Sequence, residues 1–250
     1  MAEALVVRNL SKRFGGLRAV ADLSFSVKEG ETLALIGPNG AGKSTSFNLI
    51  TGYHRPDAGS VFAFGRELVG LPPYDICALG LARTFQVGRP FGTMTVLANV
   101  MTGALLRNKK LHVARARARE ALEFVGLAAR ENTKAHDLTT IDERRLELAR
   151  ALATEPRLLL LDEVMAGLNP SEMDQAVGLV GQLSKRGLSI VIVEHVMRAI
   201  TAVAHHIVVL DHGQQIAEGT PNDVLQNEEV IRAYLGTGYA HHTTSPDAQC

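Results

Sequence analysis

Nine consecutive residues, Gly37-Pro38-Asn39-Gly40-Ala41-Gly42-Lys43-Ser44-Thr45, restrict the fold of this chain more than any other segment. Their spacing satisfies Gly-x-x-x-x-Gly-Lys-[Ser/Thr] through Gly37, Gly42, Lys43 and Ser44. Glycines let successive backbone N–H groups curl around an anion with no side chain in the way. A helix starting at the loop adds the positive end of its dipole at the same spot. Lys43 is expected to face the β- and γ-phosphates of a nucleotide, and Ser44 to offer its hydroxyl to Mg²⁺. The context agrees. The apolar run Leu33-Ala34-Leu35-Ile36 precedes the loop, and Ser46-Phe47-Asn48-Leu49-Ile50 reads as the helix after it.

Three more short apolar runs lack polar alternation: Leu158 through Leu161, Ser189 through Val193, and Ile207 through Leu210. That is how strands buried on both faces of a parallel sheet read. Leu5 to Leu10 and Leu23 to Val27 alternate instead, which predicts an antiparallel piece with one solvated face. Residues 87–150 have helix-forming composition and predict a helical insert between two halves of the sheet. Within them, Arg107, Lys109, Lys110, Arg115, Arg117 and Arg119 form a basic stretch. It is expected on a solvated helix face, with contact to lipid headgroups or a membrane partner as the sharper reading. The fold class is α/β.

A chain of 250 residues is long enough to bury a large core as one such domain. With 26 Lys+Arg against 26 Asp+Glu, the formal net charge is zero, which argues against attachment to nucleic acid by bulk charge. Two cysteines, Cys77 and Cys250, cannot make a disulfide framework or a zinc site by themselves and read as free thiols. No basic cap followed by an apolar stretch opens the chain, and no run approaches the roughly 20 apolar residues that span a bilayer. Any service to a membrane is therefore expected to run through partners. Residues 237–250 are polar and expected to fray.

An acidic pair, Asp162-Glu163, closes the second buried strand. A strand of a parallel sheet delivers such residues to the crevice at its carboxyl edge. Asp162 is suited to hold Mg²⁺ through water, and Glu163 to polarise an attacking water as general base. His195 follows the next buried strand, on the same edge.

In this order the motifs resemble the ATPase subunits of ABC transporters, and the resemblance covers nearly the whole chain. It implies a RecA-like nucleotide-binding core (residues 1–86 and 151–236), an N-terminal antiparallel β subdomain, a helical subdomain (residues 87–150) and a flexible tail. Thr84-Phe85-Gln86 matches the family's Q-loop, so Gln86 is implied to contact Mg²⁺ or the lytic water and to report nucleotide state to membrane subunits. Ala166-Gly167-Leu168-Asn169-Pro170 resembles the D-loop. His195 stands where the switch histidine meets the γ-phosphate, and Phe14 where an aromatic ring stacks on adenine. The implied cofactors are ATP and Mg²⁺, with Ser44, Gln86 and Asp162 around the metal. The implied partners are a second ATPase subunit, transmembrane permease subunits and, indirectly, a periplasmic or surface solute-binding protein. Nucleic acid is not among them. The implied location is peripheral, on the cytoplasmic face of the membrane.

Arg13-Phe14-Gly15-Gly16-Leu17, Ala82-Arg83-Thr84-Phe85-Gln86, Val193-Glu194-His195-Val196-Met197 and the segment from Val230 to Gly236 look like the ATPases of branched-chain amino acid importers. An export-type ABC ATPase and a non-catalytic nucleotide-dependent subunit are the alternatives. Two departures stand out. The family signature Leu-Ser-Gly-Gly-Gln, which closes over a partner's ATP, reads Leu138-Thr139-Thr140-Ile141-Asp142 here, and Val164 follows Glu163 where proline is usual. A β-branched residue disfavours positive φ. Ile141 is therefore expected to crowd the partner's phosphate or hold the loop back, making the site this chain completes slow in an asymmetric pair.

Overall fold

The structure, a computed structural model, describes residues 2–85, 88 and 90–235. The expectations for Gln86, for the tail and for Cys250 lie outside the described residues. The strands are β1 (Glu3–Phe14), β2 (Leu17–Lys28), β3 (Thr32–Ile36), β4 (Ala58–Ala63), β5 (Arg66–Glu67), β6 (Leu81–Arg83), β7 (Leu158–Asp162), β8 (Ser189–Val193), β9 (His206–Asp211) and β10 (Gln214–Gly219). The helices are α1 (Lys43–Ile50), α2 (Pro73–Ala78), α3 (Val96–Ala104), α4 (Leu111–Phe124), α5 (Thr140–Leu152), α6 (Pro170–Lys185), α7 (Met197–Val203), α8 (Pro221–Leu225) and α9 (Glu228–Leu235).

One sheet runs β10-β9-β3-β8-β7-β6, parallel throughout except for the antiparallel edge strand β10. Each residue of β3, β7 and β8 is buried. The reason is that successive side chains of a strand point to opposite faces, and both faces are covered. Ala34, Ile36, Leu159, Leu161, Ile190 and Ile192 enter a core shared with the helices that follow α2. Leu33, Leu35, Leu158, Leu160, Val191 and Val193 enter a second core with α1 and the other sheet. That other sheet, β2-β1-β4-β5, is antiparallel. Its strands alternate burial as the sequence predicts; Leu5, Val7 and Leu10 of β1 face the core.

Helices α3, α4 and α5 carry the segment between β6 and β7. The basic stretch divides there. Arg115, Arg117 and Arg119 sit exposed on α4, but Arg107, Lys109 and Lys110 belong to the α3–α4 connection rather than to a helix face. Arg107 is spent locally, donating to the carbonyls of Thr154 and Ala78. Arg117 pairs with Glu120 and Glu155, and Arg119 with Glu131. Exposed pairs of this kind contribute about 0–1 kcal/mol each, so they mark a solvated surface more than a source of stability. Among the described residues, no helix is long and apolar enough to cross a membrane.

Candidate active site

The loop between β3 and α1 is shaped by glycines that nothing else can replace. Gly37 has φ 147° and Gly42 has φ 102°. A Cβ on Gly37 would lie 2.0 Å from the carbonyl oxygen of Leu210, and one on Gly42 would lie 2.4 Å from that of Ala19. Both distances are impossible, so β9 and β2 press against the loop directly. Gly40, by contrast, borders open space. The turn between β9 and β10 completes the brace: Gly213 N–H donates to Ala41 O, and Ala21 N–H donates to Gly213 O. Helix α1 begins at Lys43, three residues before the helical composition predicts. Ser44 is exposed at that first turn, with Thr45 half-buried beside it.

Lys43 folds back on the loop, its Nζ donating to Gly37 O at 2.7 Å and Pro38 O at 3.0 Å. Burial pushes its ammonium below the usual lysine range, against the opposing pull of Glu163 and then Asp162. The two carboxylates thus act electrostatically on the phosphate-loop lysine. A cavity of about 480 Å³ joins the loop from Asn39 to Thr45 to Phe14, Leu17, Arg18 and Glu163. Phe14 ends β1, is 43% exposed, and stands edge-on to His54 at 5.3 Å.

Strand order explains the rest of the edge. β8 lies between β3 and β7, with Asp162 in register with Val193. The phosphate loop, the acidic pair and His195 therefore leave three adjacent strands on one edge. Asp162 is 3% exposed; its Oδ2 accepts from Arg83 Nη2 at 2.8 Å, and its buried Oδ1 has no hydrogen-bond partner. Glu163 takes the left-handed backbone region, φ 49°, and its N–H donates to Val193 O. That costly conformation turns the side chain out of the strand to the cavity wall. His195 is exposed on the same edge and is not part of that wall.

Helix α5 opens on the motif Leu138 to Asp142. Thr139 is its N-cap; the Thr139 hydroxyl accepts from Asp142 N–H at 3.3 Å and donates to Asp142 Oδ2 at 3.1 Å. Asp142 is buried and also takes Arg130 at 3.0 Å. The backbone conflict expected at Ile141 does not arise. Ile141 sits in the first turn of α5 and is absent from the positive-φ residues. Thr140 and Ile141 occupy the turn whose N–H groups a helix leaves without intrahelical partners, with no glycine required. The Ile141 side chain lines an apolar cavity with Leu148, Leu161, Val164 and Leu168 of its own chain.

Comparison with known proteins decides the identity. The family described as ABC transporter matches residues 20–166, more than half of the chain. The chain belongs to the ABC transporter family. A second match, described as branched-chain amino acid ATP-binding cassette transporter, covers residues 214–240. The chain is 40% identical over 248 residues to the high-affinity branched-chain amino acid transport ATP-binding protein LivG of Salmonella typhimurium, covering 93% of this chain and 97% of that one. The corresponding protein BraF of Pseudomonas aeruginosa shows the same identity and coverage. The lipopolysaccharide export system ATP-binding protein LptB of Acidithiobacillus ferridurans is 34% identical, with 94% and 98% covered. Among solved structures, a nucleotide-free ATP-binding cassette from an ABC transporter superposes with TM-score 0.85 at 31% identity, covering 94% of this chain and 99% of that one. A cassette in its ADP conformation superposes equally well, at 0.85 and 31%, with 94% and 100% covered. The RecA-like α/β fold and the enzyme class, an ABC-type transport ATPase, follow from this membership.

Three further residues beside these elements were not singled out by the sequence. Glu194 is wholly buried; its Oε1 accepts from Met165 N–H at 2.7 Å, its Oε2 has no hydrogen-bond partner, and burial pushes its carboxyl up. Glu147 of α5 accepts from Phe85 N–H at 2.7 Å and is likewise pushed up by burial. Tyr234 of α9 reaches the backbone of Gly37; burial raises its phenol and Gly37 opposes that. None of the three belongs to a spacing pattern that reads as chemistry.

Proposed function

We propose that this chain is the ATP-binding and ATP-hydrolysing subunit of an importer for branched-chain amino acids or a related small polar solute. The enzymatic part rests on one observation: a single 480 Å³ cavity holds the phosphate loop, an aromatic ring and Glu163. The solute rests on the likeness to LivG and BraF and on the match over residues 214–240. The export reading has the weaker likeness, 34% against 40%. The whole chain is read as one ABC ATPase domain, with a core of residues 1–86 and 151–236, a helical subdomain of residues 87–150 and a tail.

In this reading Phe14 stacks on the adenine, and Gly37, Pro38, Asn39, Gly40, Ala41 and Gly42 wrap the phosphates with backbone N–H groups. Lys43 exchanges its carbonyl partners for the β- and γ-phosphates. The residues fit a magnesium ion: Ser44 is exposed at the helix start, and Asp162 carries a buried oxygen with no hydrogen-bond partner. Ser44, Asp162 and Gln86 would hold Mg²⁺, which supplies positive charge to the phosphates. Glu163 takes a proton from water as the water oxygen bonds to the γ-phosphorus. The bond to the β-phosphate oxygen breaks, and ADP and phosphate leave. The helix start formed by Thr139, Thr140, Ile141 and Asp142 faces the partner subunit's nucleotide. The partners are a second ATPase subunit, permease subunits and, through them, a solute-binding protein, with this chain peripheral on the cytoplasmic face.

The test is Mg-ATP binding and phosphate release by the purified chain, and leucine uptake by vesicles holding the assembled transporter. Lys43→Ala is expected to weaken binding and abolish turnover. Wild-type affinity and rate in that variant overturn the site; ATP-driven transport that ignores leucine, isoleucine and valine overturns branched-chain amino acids as the solute.

A further inference from the structure

Arg83 has no part in the site as read from motifs, yet it is the side chain most directly engaged with Asp162. β6 pairs with β7 in parallel, Arg83 opposite Leu160, which brings the guanidinium beside the residue that closes β7. Both partners of the ion pair are nearly out of solvent, with side chains 7% and 4% exposed. The guanidinium works as a fork. Nη2 donates to Asp162 Oδ2 at 2.8 Å, while Nη1 donates to Asn48 Oδ1 at 2.6 Å and Thr51 Oγ1 at 3.3 Å, both at the far end of α1. Aromatic rings of Phe47, Tyr53 and Phe85 lie 5.5, 6.0 and 4.9 Å from its centre. Asp162 is gripped through its backbone as well, its N–H donating to Thr84 Oγ1 at 3.1 Å.

Burying an ion pair is rarely a net gain in stability, and here the arrangement leaves Arg83 Nε and Asp162 Oδ1 without hydrogen-bond partners. We propose that Arg83 is a positioning residue for Asp162. It holds Oδ2 against the end of α1 so that the carboxylate keeps one orientation, with Oδ1 left for the magnesium shell. The inference rests on the reading of Asp162 as a magnesium-site residue. The fork is what arginine supplies: its two terminal nitrogens take Asp162 and the end of α1 separately, where lysine would offer one compact ammonium. Partners that orient a metal-site ligand typically change metal affinity by about 10–100-fold when removed.

The experiment measures binding of a fluorescent ATP analogue to the full chain, in EDTA and across a Mg²⁺ titration. The variants are Arg83→Gln, Arg83→Lys, Asp162→Asn and the Arg83→Gln/Asp162→Asn pair. Arg83→Gln is expected to raise the half-saturating Mg²⁺ concentration about tenfold or more and to leave Mg-free binding unchanged. Arg83→Lys is expected to recover only part of that shift, and the double variant to match Asp162→Asn alone. Equal losses with and without Mg²⁺ show a merely structural Arg83 and overturn the inference, as does a double variant worse than Asp162→Asn. If Arg83→Gln does not fold, wild-type Mg²⁺ dependence in Arg83→Lys overturns it. Wild-type Mg²⁺ dependence in Asp162→Asn overturns the magnesium site itself, and the inference with it. A shift in Asp162→Asn but not in Arg83→Gln removes Arg83 alone.

Discussion

Ile141 and Val164, two residues that depart from the family pattern, line the same apolar cavity between α5 and α6. Only about 60 Å³ of space separates the lining side chains. Arg144, one helical turn on from Ile141, donates to the carbonyl of Ala166 and ties the same two segments. The substitutions that looked independent in the sequence therefore meet in one place. Ile141→Ala and Val164→Ala are each expected to cost about 1–2 kcal/mol, since both side chains are half-buried. The double variant should depart from additivity by about 0.5 kcal/mol or more, as residues sharing a cavity do. Urea unfolding of the four proteins measures it, and strict additivity would separate the two residues.

Glu163→Gln is expected to keep ATP binding and to lower phosphate release by roughly 10²–10⁴-fold, the usual contribution of a general base. His195→Ala should slow hydrolysis without much lowering the melting temperature, because the residue is exposed. Single-turnover assays at saturating ATP distinguish these losses from losses of affinity. Normal turnover in Glu163→Gln assigns the base elsewhere.

Phe14→Ala should weaken ATP binding and leave stability nearly unchanged. Base–aromatic stacking contributes about 1–3 kcal/mol, or roughly 5–150-fold in affinity. With the ring 43% exposed, little core packing is lost. A comparison of ATP with inorganic triphosphate supplies the control: the variant should lose affinity for the first only.

Glu194 gives the protein a pH dependence of known sign. Burial raises its carboxyl above the ordinary value of 4.5, so the folded chain keeps this proton to higher pH than the unfolded chain does. Its stabilising contribution is complete below about 4.5 and is lost as pH rises through the folded value. Glu194→Gln removes the titration. Wild type should therefore gain stability over the variant as pH falls from neutrality toward 4.5. Parallel urea midpoints across that range would refute a raised carboxyl at this position.

Much of the architecture was legible from local pattern. The runs within β3, β7, β8 and β9 read as buried strands because both faces of each are covered, which leaves no room for polar alternation. β6 was not legible: three residues ending in arginine carry no periodicity, and only pairing with β7 makes them a strand. The partly exposed β10 is an edge strand for the same reason.

The phosphate loop is the clearest thing the sequence by itself determined, because its chemistry lies in nine adjacent residues whose backbone must curl. The acidic pair and His195 were readable too, since the pair closes one buried strand and His195 stands two residues past the end of the next. Only the tertiary structure decided that β8 would stand between β3 and β7, bringing three loops to one edge. It alone placed Arg83 on Asp162, 79 residues away in the chain, and turned Ile141 toward its own Val164. A strand's burial follows from its own residues. Which strand lies beside it, and which ion pair closes across the join, depends on long-range packing that no local spacing encodes.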